Sequence, residues 1–478
     1  MKLRYDPGEN EAFWQAIRRI PGFPEDDEIR LRTMIFESDA VFRLPEILGQ
    51  FSTSAEQRLL VVMDPTPMQR GPDSLKPLVQ RILSEAGLQV DTLVLQPDGS
   101  GQVHTDMAHI EAVKARLSPG KTVLSVGSGV VTDITKHACY LYQQESGKSL
   151  PFVVLPTANS VSAYASNMAP VFIDGVKRTL PSRYPDALVC DLETLADTPR
   201  EMTVAGVGDM LAIYTSFADW YLAQRLGMDS HYSLLPQALL ENMFTLLETY
   251  AGEIRNPTPA GMAVLAKLIT LGGLAMSLSH ATTPLSGYEH VVSHILDLIN
   301  ELRQAPLAQH GSQVAVATVL LAEVYRIFLD EFKPTQVDLA RSFPEAEHMQ
   351  RVVQENFLSI DPSGKAGEEC WHDYQIKLKD WHAQRESLGS FLDQWGEIQG
   401  ELGQLTCPPE RLIGLLQEIN APINFAELTP AFQEAEVQFA FLNAPLMRKR
   451  LTLGDLLIFF EFDRKKMWER AWKRTQGL

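Results

Sequence analysis

The stretch from Val123 to Tyr140, VLSVGSGVVTDITKHACY, decides how the first part of the chain is read. Val123 to Val126 is a short, β-branched apolar run, the pattern of a buried strand. Two glycines, Gly127 and Gly129, follow at once around Ser128. Val131, Ile134, Ala138 and Leu141 then recur at helical spacing. A strand that turns on glycine into a helix gathers free backbone N–H groups and the positive end of the helix dipole at one point. That point suits phosphate oxygens, but an ordinary tight strand-to-helix connection has the same composition. The third glycine of GxGxxG is replaced by Thr132, and no GxxxxGK[ST] is present, so neither standard glycine motif decides the matter.

Outward from this turn the pattern repeats. The runs Leu59–Met63, Thr92–Leu95, Thr122–Val126, Pro151–Leu155 and Ala187–Cys190 read as strands. Helical spacing lies between the first of them, in Leu75, Leu78, Val79, Ile82 and Leu83, then Met107, Ile110, Val113 and Leu117. Alternating strand and helix predicts a parallel sheet with helices on both faces. Asp133, in the first turn after the glycines, either complements the helix dipole or points toward a ligand. Thr157, Ser160 and Ser162 add hydroxyls at the next strand's carboxyl end, where open α/β sheets bind ligands. Past Asp191 the strand signals fade and long helical patterns take over. Division into 1–196 (α/β) and 197–478 (all helical) follows, with 1–55 partly an N-terminal extension. Lys333 to Glu410 is more polar, with a turn expected at Asp361-Pro-Ser-Gly364.

The whole chain narrows the function further. Its 478 residues suit two domains, and 42 basic against 60 acidic residues, net charge −18, argue against nucleic acid or an anionic membrane as partner. The four cysteines lack CxxC spacing, which fits neither a disulfide scaffold nor a thiolate metal site, and a cytoplasmic setting is expected. The N-terminus lacks the apolar core of a secretory signal. The run Val314 to Leu329, interrupted by Glu323, Tyr325 and Arg326, reads as too short to span a bilayer, so no integral membrane segment is expected.

In the helical half, His290 and His294 lie one turn apart in SGYEHVVSH, His310 precedes an apolar helix, and Asp209 follows Gly206 and Gly208. Imidazole with carboxylate suits zinc, nickel or iron, and three protein ligands leave a position open for catalysis. Spacing alone does not choose between His290 and His294.

Taken in order, the pieces resemble the sn-glycerol-1-phosphate dehydrogenases, in the superfamily of iron-containing alcohol dehydrogenases and dehydroquinate synthase. They are Gly127–Lys136, Pro156–Ser160, Asp174–Lys177, Pro185–Ala187, Pro199–Met202, Gly208-Asp209, Ala218–Trp220, Ser286–His290, Ser293-His294, His310-Gly311, Val316–Thr318, Pro422 and Arg450–Thr452. The resemblance implies a dehydroquinate synthase-like architecture: a Rossmann-like nucleotide-binding α/β domain, then an all-α metal-binding domain, with the active site in the cleft between. It places NAD or NADP over Gly127, Ser128, Gly129, Val130, Val131, Thr132 and Asp133, with Thr157, Ser160 and Ser166 also at cofactor positions and Asp64 near the adenosine end. It makes Asp209, His290 and His310 the metal ligands, zinc first among the candidate ions, and puts His294 and Ser162 with Asp209 at the substrate.

The implied activity is metal-dependent hydride transfer between NAD(P) and a small, phosphorylated polyol or hydroxyketone, dihydroxyacetone phosphate being the first candidate. The chain departs from the family at Ser162, where members carry an Asp that contacts the substrate, and at Ile213, often Lys or Asn. A serine hydroxyl is no base near neutral pH. Two further readings therefore stand beside the first: a dehydroquinate synthase-like lyase with catalytic NAD, and a nucleotide-binding sensor without turnover. The long apolar helical faces leave room for a homo-oligomer.

Overall fold

The computed structural model describes residues 2–25, 29–51, 58–97, 99, 101–173 and 176–476. Asp174 and Gly175 of the Asp174–Lys177 motif lie outside the described residues. The chain forms two compact units, Met1–Met210 with Leu234–Leu278, and Leu211–Ser233 with Ser279–Leu478.

The first unit is built on a six-stranded sheet in the order Thr33–Glu37, Ala187–Asp191, Phe152–Pro156, Lys121–Gly127, Arg58–Met63, Gln89–Val94. Every pairing is parallel, as the alternation of strand and helix predicts. Register aligns Met63 with Val126 and Val126 with Leu155, so the chain leaves all three strands at one edge of the sheet. Strand order reverses between Lys121–Gly127 and Arg58–Met63, which opens a crevice at the carboxyl ends there. Side chains at alternate positions (Leu59, Val61, Met63; Leu124, Val126; Val153, Leu155) share one apolar layer with Leu75, Val79 and Leu83 of the Leu75–Glu85 helix.

Two features of this unit were not legible in the sequence. Thr33–Glu37, within the expected extension, is the edge strand of the sheet. Its outer side is covered at Met34, whose N–H donates to Asn10 Oδ1 at 2.7 Å while Asn10 Nδ2 donates to Met34 O at 3.1 Å. The helix Pro259–Leu278, in the half read as a separate helical domain, packs with the sheet. Asn159 Nδ2 donates to Met262 O at 3.2 Å, and Ser277 Oγ accepts from the Asn167 N–H at 2.9 Å. Composition changes near residue 197, yet packing divides the chain elsewhere because a mostly apolar helix can cover an apolar layer far from it in sequence.

Among its described residues the second unit contains only helices. Tyr288–Leu302 and His310–Glu331 pack against each other. The expected turn forms, with the Ser363 N–H on Asp361 Oδ1 at 3.0 Å. The polar segment that contains it is joined to the core: Lys377, on the helix Lys365–His382, is buried against Asp455 at 2.6 Å. Asp455 in turn caps its own helix by accepting the Thr452 N–H at 2.8 Å. One expectation is corrected here. The run beginning at Val314 belongs to a 22-residue helix, and it and Pro259–Leu278 are long and apolar enough to cross a membrane by length and composition. Their most apolar windows are 89% and 78% buried within the protein, as core helices are.

Candidate functional site

The glycine turn is dictated by close packing. A Cβ on Gly127 would lie 2.5 Å from Val131 Cβ, and one on Gly129 2.5 Å from Val161 Cγ2. Ser128 is the N-cap of the helix Gly129–Ser146, but its side chain makes no capping bond. Beside it, the Thr157 N–H donates to Gly127 O at 3.0 Å, which joins two adjacent strand ends. Val130, Val131 and Thr132 form the first turn, Val131 and Thr132 buried.

The expected cofactor side chains around this turn have definite partners. Asp133 is turned inward: its Oδ1 pairs with Lys136 Nζ at 2.8 Å, and that ammonium donates to Ala163 O at 2.8 Å. Burial raises the Asp133 pKa, with the charges of Lys136 and Lys177 acting against it. Lys76 Nζ grips Asp64 through its carboxylate and its carbonyl, each at 2.6 Å. Ser160 Oγ lies 3.4 Å from Tyr164 OH, and Ser166 Oγ accepts the Met168 N–H at 3.0 Å. Both belong to the loop that carries Ser162. There the Ser162 N–H and Oγ–H both donate to Asp209 Oδ2, each at 3.1 Å.

In the second unit the three histidines cluster. Ring centroids are 5.1 Å apart for His290 and His310, 5.7 Å for His294 and His310, and 6.3 Å for His290 and His294. His290 Nδ1 meets Glu289 Oε1 at 3.0 Å. Glu289 is fully buried and also accepts from the Gly287 N–H at 2.5 Å and Thr215 Oγ1 at 2.7 Å. Burial alone would raise its pKa, but the bonds and charge from His290, with the Gly287 and Thr215 donors, hold it below the usual carboxylate value. Such a carboxylate fixes the Nδ1–H tautomer of His290 and leaves Nε2 for a metal. His310 Nδ1 is held likewise, by Ser293 Oγ at 3.2 Å. Arg448 Nη2 lies 3.5 Å from His294 Nδ1.

Behind Glu289 sits a second buried acid, Asp219. It accepts from Tyr325 OH at 2.5 Å, the Leu453 N–H at 2.7 Å and the Tyr288 N–H at 2.8 Å. Burial, then the nearby Glu289 charge, raises its pKa to about 7. Together the two acids bind consecutive N–H groups, of Gly287 and Tyr288, at the start of the helix that bears His290 and His294. The roles of Glu289, Ser293 and Arg448 escaped sequence reading. Glu289 adjoins His290 in sequence, and neighbouring residues on a helix surface do not face each other. Their contact arises at the helix's first turn, where the Gly287 N–H draws the carboxylate back.

Residues 35–199 match the family described as iron-containing alcohol dehydrogenase. The chain is also similar in sequence to other proteins. Its relatives include a glycerol-1-phosphate dehydrogenase acting with NAD(P)+ from Bacillus subtilis strain 168, 31% identical over 54% of this chain and 66% of that protein. One from Halalkalibacterium halodurans is 32% identical over 52% of this chain and 61% of its own length. The chain thus spans less than two thirds of the length of either relative. In fold, it resembles the crystal structure of a probable glycerol dehydrogenase from Sinorhizobium meliloti 1021, at a TM-score of 0.57, 15% identity, and coverage of 94% of this chain and 98% of that one.

Proposed function

We propose that the protein is a metal-dependent, NAD(P)-linked dehydrogenase that interconverts a small phosphorylated hydroxyketone and its alcohol, with dihydroxyacetone phosphate as the first substrate to test. The observation that carries this reading is the tethering of both imidazoles at Nδ1, His290 by Glu289 and His310 by Ser293, which leaves Nε2 of each as a ligand atom. Asp209, His290 and His310 would hold one divalent cation, and an acid with two imidazoles fits zinc, nickel or iron. When bound, that cation supplies Lewis-acid polarisation of a carbonyl, and the nicotinamide supplies or accepts the hydride.

The chain's own residues do the rest. The N–H groups at Gly129 to Val131 would take the pyrophosphate, and the packed glycines keep side chains out of its way. Thr157, Ser160 and Ser166 would border the cofactor. His294, stacked 5.7 Å from His310, would orient the substrate or pass its proton. Four buried cysteines, none in a disulfide among the described residues, fit a cytoplasmic setting.

The deciding experiment follows NAD(P)H absorbance at 340 nm with dihydroxyacetone phosphate and related ketones, after zinc, nickel or iron is restored. Ketone-dependent oxidation that chelator abolishes is the expected result. No oxidation with any metal or ketone overturns the proposal.

A further inference from the structure

Ser162 lies in the loop after the strand Phe152–Pro156, and its contacts show a definite task. It opens the short turn Ser162–Ala165 and is almost fully buried. That turn is pinned on three sides. The Ser166 N–H closes it on Ala163 O at 3.3 Å, Lys136 Nζ donates to the same oxygen at 2.8 Å, and Gly273 packs so closely that a Cβ there would sit 2.4 Å from Ser162 O. From this fixed backbone two donors, the Ser162 N–H and Oγ–H, converge on one oxygen, Asp209 Oδ2. A carboxylate oxygen has two lone-pair directions. Ser162 thus holds Oδ2 with two donors of its own.

We infer that Ser162 is a positioning residue that orients the Asp209 carboxylate toward the divalent cation. The inference rests on the proposal that Asp209 is a metal ligand. An Asp at 162 could not do this work: ionised, it has no O–H to give and would set a second negative charge against the first.

The test is zinc affinity of the full-length protein, read by competition with a chromophoric chelator and needing no turnover. Asp209→Asn sets the reference for a lost ligand and should bind zinc far more weakly. Ser162→Ala keeps the backbone donor but removes the hydroxyl, and should weaken zinc binding by about 10- to 100-fold, as loss of a partner to a ligand does. Ser162→Thr, which keeps the hydroxyl, should stay near wild type. Thermal unfolding of the metal-free forms separates orientation from folding, and Ser162→Gly replaces Ser162→Ala should the alanine form not fold. Wild-type affinity in Ser162→Ala, with Asp209→Asn impaired, overturns the inference, as does a Ser162→Thr form as weak as Ser162→Ala. Unchanged affinity in Asp209→Asn instead overturns the metal-site assignment on which the inference stands.

Discussion

The glycine turn of the first unit and the histidine helix of the second prepare to bind ligands by opposite means. At the turn the chemistry lies in the backbone. The side chains nearest the helix start are packed valines, and the one acid, Asp133, is neutralised internally by Lys136. On the histidine helix the chemistry lies in side chains, and each is held by another: His290 by Glu289, His310 by Ser293, and the helix start by Glu289 and Asp219. A backbone cradle needs only shape, which apolar packing supplies. Ligand imidazoles need a defined tautomer and direction, which only buried polar partners supply. Both regions bury acids, Asp133 in the first and Glu289 and Asp219 in the second, but only in the second does a buried acid hold a histidine of the cluster.

The difference can be broken by substitution. The largest effect is expected from His290→Ala or His310→Ala, which should remove bound metal and lower turnover by about 10²–10³ or more, with a circular dichroism spectrum like wild type. Next comes Glu289→Gln, which leaves the ligand atoms in place but removes the charge that fixes His290. Metal affinity should fall roughly 10- to 100-fold, measured by chelator competition. At the turn, Gly127→Ala should destabilise the protein by about 1–3 kcal/mol in urea unfolding, because the new methyl must displace the buried Val131. Ser128→Ala, three atoms away, should change stability by no more than about 0.5 kcal/mol, since that side chain caps nothing. A large loss of NAD(P)H affinity in Ser128→Ala would show that the first region also works through side chains, and would dissolve the contrast.

Asp219 sharpens the same contrast through pH. Its carboxyl group ordinarily titrates near 3.8 and in the folded protein near 7, so between these values the folded chain keeps a proton that the unfolded chain has released. The stabilisation from Asp219 is therefore complete below about 3.8 and is lost as pH rises through about 7. Glu289 behaves in the opposite sense: its pKa is depressed, so its contribution is present above its ordinary value of 4.5 and is lost as pH falls through the folded value. Asp219→Asn should flatten the part of the stability profile that declines toward neutral pH. It should also cost about 1–3 kcal/mol, because an amide cannot accept from all three donors that now meet at that site. An unchanged profile in denaturant titrations at several pH values would contradict the shift.

The amino-acid sequence alone determined five of the six strands of the sheet, the glycine turn and the three histidines. Each rests on a local pattern: apolar runs of strand length, glycine between strand and helix, imidazoles at helical spacing. It did not determine the edge strand Thr33–Glu37, a five-residue segment held by the distant side chain of Asn10 and by pairing with Ala187–Asp191. Nor did it assign the helix Pro259–Leu278 to the sheet, since an all-round apolar helix carries no mark of its partner. Tertiary structure alone decided that Glu289 serves its own neighbour and that Ser162 gives its hydrogen to Asp209. Those are questions of where a polar side chain finds its partner once water is excluded. The answer depends on segments 47 residues apart for Ser162 and Asp209, and no local spacing encodes it.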